Sequence, residues 1–307
     1  MESLMSNFTF RALWTPELII GLVILSCVYS LLINRWRKHF KNAEPVKLRQ
    51  KLYFALFTIA LYLGWGSPLY IAGHFMITLH MTQMVFAYFV AVPLFLLSMP
   101  KWFLKAIFDK LSKVRYSKAL LFVWNPITAI FLFNGLFSFY HVPFMFDTLM
   151  QAPALHSLFQ YGLFFSSLLM WWFMIQPLPS YAYLSDLRRI LYIFLNGLMI
   201  TPACALIIFA PSAMYQTYTD PAIWGNAMAY CLPAGSSLPY ELFSGPNSFS
   251  FLESRMDQQL AGVLMKIMQE IIYGITIGYV FKQWITKEKQ QDGELTISDI
   301  PQKLRTE

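Results

Sequence analysis

The chain is written in long apolar runs separated by short polar stretches. Seven of the runs are long enough to cross a bilayer, which takes roughly 17–25 residues as helix. They predict spans near 16–33, 52–72, 75–98, 119–140, 157–175, 190–210 and 258–281. The first opens on Thr15-Pro16-Glu17. Thr suits an N-cap, Pro the first helical position and Glu the positive end of the helix dipole. That run closes on basic residues (Arg35, Arg37, Lys38) rather than small ones, so it reads as a span and not a cleaved leader. Residues 100–118 place Phe103, Leu104, Ile107, Phe108, Leu111 and Val114 on one helical face, with Lys101, Lys105, Lys110 and Lys113 around it. That pattern predicts an amphipathic helix on the inner leaflet. Residues 211–257, punctuated by five prolines, predict a loop folded over the outer mouth of the bundle. The fold class is therefore all-α: a seven-helix membrane domain over residues 1–282 and a polar, mobile tail over 283–307.

Composition agrees. Of 307 residues, 57% are hydrophobic and 13% charged, against about 45–50% and 25% in soluble domains. A chain this apolar cannot clothe a soluble enzyme or a disordered protein. The net charge of +7 does not indicate nucleic acid, because the basic residues sit in clusters between the runs. The connections after the first, third and fifth spans and the tail hold 20 of the 23 Lys and Arg. The positive-inside rule then predicts an outside N-terminus and a cytoplasmic C-terminus. Cys27, Cys204 and Cys231 form no pair. The first two read as packing residues, and Cys231 as a loop thiol that is either a plain surface group or a catcher of incoming Cu(I).

Five histidines carry the candidate chemistry. His39 lies in a basic loop. His74, His80, His141 and His156 all map to the outer ends of three predicted helices, with His80 about 9 Å deeper than His74 at 1.5 Å per residue. Met76, His80 and Met84 follow at i, i+4, i+8 on one helical stripe bordered by Gln83. Imidazole with thioether suits Cu(I), since thioether is soft and needs no deprotonation. Asp147 or Asp257 could orient a histidine from behind. Polar packing at a helix end is the plainer reading of any one of these residues. Two histidines on opposed helices could also ligate haem; a transmembrane bis-haem site needs two pairs at two depths and these lie at one, while simple haem transport stays open. Lys266 and Glu270 stand i, i+4 inside the seventh run, either as a proton or ion relay or as a mutually neutralising pair.

Several stretches then become familiar: FRALWTPE at 10–17, GSPLYIAGH at 66–74, HMTQM at 80–84, FNGLFSFYHVPFMFD at 133–147, ITPACALIIFAPSAMYQTYTDP at 200–221 and DQQLAGVLMKIMQEI at 257–271. Together they make the chain resemble the polytopic CtaG-type cytochrome c oxidase assembly factors, most like the Bacillus-like form. The resemblance spans nearly all of residues 10–282. It implies a non-enzymatic, multi-pass protein of the bacterial cell membrane that helps build a haem–copper oxidase. It further implies transient Cu(I) binding and transfer to oxidase subunit I, fed by an extracytoplasmic copper donor. By this resemblance His80, His141 and His156 fall on family positions, with Asp257 at the opening of the seventh helix. Met84 stands where much of the family has histidine, which shifts preference toward Cu(I). Two other readings share the topology. One is a copper or proton permease, weakened because the inner halves of helices three to five show few polar groups besides Asn125 and Thr128. The other is a metal-free scaffold for subunit I.

Overall fold

The structure is a computed structural model and describes residues 8–40, 43–111, 124–178, 184–229, 231 and 252–294. Every regular element among them is helical. In chain order they are α1 (Phe10–Trp14), α2 (Pro16–Asn34), α3 (Leu48–Trp65), α4 (Pro68–Ala72) and α5 (Ile77–Met84). A π-helical segment (Val85–Ala91) leads into α6 (Val92–Ser98). Then come α7 (Lys101–Leu111), α8 (Pro126–Tyr140), α9 (Pro143–Met150), α10 (Pro153–Ile175), α11 (Asp186–Phe209), α12 (Pro221–Ala229) and α13 (Ser254–Glu294).

Six segments are long and apolar enough to cross a membrane: Phe10–Asn34, Leu48–Ala72, Ile77–Ser98, Pro153–Ile175, Asp186–Phe209 and Ser254–Gln290. The expected fourth span is different. It is a pair, α8 and α9, bent by 75° at His141, and makes the seventh span only if the two count as one. Residues 119–123 of that expected span lie outside the described residues. The side chain of Asn125 caps α8 by accepting from the Ile127 amide at 2.8 Å. Pro143 forces the bend: it cannot continue the ladder, and Val142 before it is held extended.

Two other expectations are refined. Thr15 does not cap with its side chain; it turns the chain between α1 and α2 through a left-handed backbone at φ 40°. The polar tail begins as helix, because α13 runs on to Glu294. The amphipathic segment is helical over Lys101–Leu111, and its remainder lies outside the described residues. Its apolar face packs on the bundle: Phe108 stacks on Trp172 at 4.9 Å and meets Trp124 at 5.0 Å.

Three devices hold the bundle together. The π segment shifts the hydrogen-bond register, and the Tyr88 carbonyl there accepts from Ser167 Oγ at 2.8 Å and Trp171 Nε1 at 3.0 Å. Gly64 lets α3 press against that segment, since a Cβ there would lie 2.9 Å from the Ala87 amide nitrogen. Small residues allow such backbone approach where burial of apolar surface gives no drive. At the other end buried Arg189 donates to the Met174 carbonyl at 2.9 Å and the Ile175 carbonyl at 3.0 Å, the last carbonyls of α10. It also meets Asp186 and Gln283 at 3.2 Å each, tying α10, α11 and α13.

Two outcomes follow for the folded state. Gly64→Leu is expected to cost roughly 2–3 kcal/mol by overpacking against backbone that cannot yield. Detergent unfolding with a wild-type midpoint would contradict that packing role. Arg189→Met is expected to cost about 3 kcal/mol, because Asp186 and two carbonyls stay buried with fewer donors. The same titration reads it, and a loss below about 0.5 kcal/mol would remove Arg189 from the list of structural ties.

Candidate functional site

The two places where the chain breaks near the histidines create the site. Met76 is extended, so α5 starts afresh at Ile77 with free amides. Asp257, at the first turn of α13, accepts from the Ile77 amide at 2.7 Å and the Thr78 amide at 3.4 Å, and its carbonyl accepts from Thr78 Oγ1 at 2.9 Å. A carboxylate on the positive end of a helix fixes where that helix begins. His80 rides on its first turn. The second break is at His141, the C-cap that follows α8, whose carbonyl accepts from Tyr215 Oη at 2.9 Å. Asp147 on α9 binds the Thr217 amide at 2.8 Å, Thr217 Oγ1 at 2.7 Å and the Gln216 amide at 3.1 Å.

Residues 214–229 therefore fold over this end of the bundle, as expected for the described part of the loop. Tyr218 donates to the Gly73 carbonyl at 2.6 Å, and Trp224 Nε1 to the His74 carbonyl at 3.2 Å. Residue 230 and residues 232–251 lie outside the described residues.

The expected histidines come together. The rings of His80 and His141 stand 6.3 Å apart, edge to face. Tyr140 stacks on His80 at 5.7 Å and on His156 at 5.9 Å, so it sits between them. Phe146 closes the cluster 5.1 Å from His80. His74 is close enough to interact electrostatically with His80 and His156. All four are buried.

Their hydrogen bonds separate them. His141 Nδ1 lies 2.7 Å from the Phe137 carbonyl. A carbonyl only accepts, so Nδ1 carries the proton, and in the neutral ring Nε2 presents its lone pair. That Nε2 is buried and without a partner. His80 Nε2 is likewise buried and unpartnered. His80 Nδ1 faces the Gln83 amide at 3.1 Å, and Gln83 Oε1 has no donor. Turning that amide over lets Oε1 accept from Nδ1–H and leaves Nε2 with a free lone pair. His156 differs, because its Nε2 is taken up by Tyr140 Oη at 2.8 Å and the Gln160 amide at 3.2 Å. His74 binds the Tyr70 carbonyl through Nδ1 at 3.0 Å.

Other expected members stand apart. Met84 is buried in the main core, on the same helix as His80. Met76 belongs instead to a separate apolar cluster with Phe8, Phe75, Trp224 and Met228. Cys231 packs in that second cluster rather than on the open surface, and burial pushes its thiol up to about 11. Asp147 and Asp257 act on backbone amides, so they position the segments that carry the histidines. Among the described residues no three His, Cys, Asp or Glu side chains could hold one metal ion.

Sequence reasoning passed over Tyr140, although it sits beside His141. It also passed over Asn134 and Asn196, which hydrogen-bond at 3.0 Å deep between α8 and α11. An asparagine in an apolar run is a visible signal for such a bond. Phe89, Phe133 and Phe137, all fully buried, pack together beside that pair, with centroids 5.6–6.5 Å apart.

The comparisons with known proteins fit this geometry. The profile of the cytochrome c oxidase caa3 assembly factors matches residues 27–287. No curated protein and no solved structure matches the chain. The protein thus belongs to the cytochrome c oxidase caa3 assembly factor family, a family of assembly factors and not of enzymes.

Proposed function

We propose that this assembly factor holds Cu(I) transiently between His80 and His141 and passes it to subunit I of the oxidase. The carrying observation is the pair of buried imidazole Nε2 atoms without hydrogen-bond partners on adjacent rings. A buried polar atom left unpaired is costly, and a soft cation that accepts nitrogen lone pairs removes the cost for both. Gln83 sets the tautomer of His80, and the Phe137 carbonyl sets that of His141, the usual way a second hydrogen bond directs a ligand. Met84 offers a thioether one turn along from His80. His156 supports the site through Tyr140. A set of two histidines is incomplete, which suits a cargo that must leave: the client or an extracytoplasmic donor completes it during transfer.

In this reading the protein sits in the bacterial cell membrane as the Bacillus-like form does, with its N-terminus outside, its C-terminus cytoplasmic and the histidines at the outer side. The charge asymmetry of the loops supports that orientation. A permease is the weaker reading. Three phenylalanines pack together in the bundle interior, and the nearby Asn134 and Asn196 are bonded to each other rather than lined up as a path.

The test is anaerobic competition for Cu(I) by the purified full-length protein in detergent. Near-stoichiometric binding is expected, weakened at least tenfold by His141→Gln or His80→Gln and less by Gln83→Leu. Cells carrying His141→Gln are expected to make oxidase with its haem but short of copper. If the wild type binds no Cu(I) and the variants leave the oxidase fully metallated, the protein is a metal-free scaffold.

A further inference from the structure

Lys266 and Glu270 have no part in the histidine site. Glu270 lies 13 residues after Asp257 on α13, about 20 Å further along the helix axis. The depth is that of the apolar interior. Lys266 turns inward: Nζ donates to the Gly197 carbonyl at 3.0 Å and Thr201 Oγ1 at 2.9 Å on α11, and to Gln269 Oε1 at 3.0 Å. Glu270 Oε1 approaches the same nitrogen at 2.6 Å. The two side chains are not equally sheltered. Lys266 is 25% exposed and Glu270 57% exposed.

The carboxylate therefore stands on the outer face of the bundle. Ile267, Ile271 and Ile275 around it are exposed as well, as lipid-facing residues are. Acyl chains cannot solvate a carboxylate, and an ionisable group at that depth normally faces a protein partner or a cavity. Along the same row, at i+4 and i+8, lie Gly274 and Gly278. A Cβ built on either would meet nothing within 4 Å. The row thus presents an acidic knob followed by bare backbone. The glycines alone would mark nothing; the exposed carboxylate says what must cover them, namely a helix that carries hydrogen-bond donors.

A second copy of this chain does not fit. A two-fold contact on this row would set two Glu270 carboxylates face to face. Lys266 could not relieve them, because its three protons already have four acceptors. We propose that the face of α13 defined by Glu270, Gly274 and Gly278 is where a transmembrane helix of the client oxidase docks. The client helix brings a Ser, Thr, Asn, Gln, Trp or Lys donor opposite Glu270 and packs closely over the glycines. The inference rests on the oxidase being the client and is independent of copper.

The test is photo-crosslinking in membranes of cells that make the oxidase, with the full chain and Glu270 intact. A photoreactive residue is placed at Ile271 or Ile275, and at Ile20 or Phe165 as exposed controls on α2 and α10. Adducts with an oxidase subunit are expected from the first two positions and not from the controls. Glu270→Leu and Gly278→Leu are expected to reduce co-purified oxidase roughly three- to tenfold, while Glu270→Gln retains most of it. Adducts with a second copy of the chain overturn the proposal. So do equal adducts from the controls, or adducts with lipid alone together with undiminished co-purification. Cu(I) binding by Glu270→Leu should equal that of the wild type. Docking and copper handling can then fail separately and be told apart.

Discussion

Asp257 reaches from the first turn of α13 to the free amides at the start of α5, and the geometry of the histidine end depends on that contact. A chain that stops and restarts inside an apolar slab exposes amides and carbonyls that lipid cannot satisfy. This protein restarts twice near the histidines, at Met76 and at His141. Each break is closed by protein: Asp257 and Thr78 at the first, Tyr215 and Asp147 at the second. The breaks matter because an unbroken helix would hold its side chains at fixed offsets along one axis. Breaking α8 from α9 leaves His141 at a corner, where its ring meets that of His80 from another helix.

Six of the seven spans were legible because a bilayer demands long apolar helices; the fourth, a pair bent by 75°, was not. That His80, His141 and His156 meet at one end of the bundle was legible for the same reason, since depth follows from position along a span. What the sequence did not reveal was lateral geometry. Met76 and His80 share a helical row on paper, yet Met76 precedes the restart and packs with Phe75 and Trp224. Asp147 and Asp257 have the composition of metal-site carboxylates, but their oxygens are taken up by backbone amides of other segments. Tyr140 was invisible as a functional residue because its role, a stacked spacer between His80 and His156, exists only once three helices meet. The bend at Pro143 could have been read from the proline. Its consequence for His141 could not.

The interior below the histidines separates two polar levels. Phe89, Phe133 and Phe137 pack together as an apolar group next to the Asn134–Asn196 pair. Asn134 and Asn196 bond to each other, whereas His80 and His141 each keep a buried Nε2 without a partner. The histidine level lies under residues 214–229, and Glu270 stands on the side of the bundle.

One helix nevertheless touches both levels. The first turn of α13 carries Asp257, which sets the start of the helix bearing His80, and its middle carries Glu270 on the outer face of the bundle. A helix transmits displacement along its axis with little loss because its hydrogen bonds are local and stiff. A client helix seated against Glu270 would bear on the element that defines where α5 begins. A shift of α13 large enough to lengthen the Asp257 contacts would move His80 relative to His141, and their two nitrogens form the whole of the proposed donor pair. Glu270 and the start of α5 are thus linked through one helix and the two hydrogen bonds that Asp257 accepts from the Ile77 and Thr78 amides.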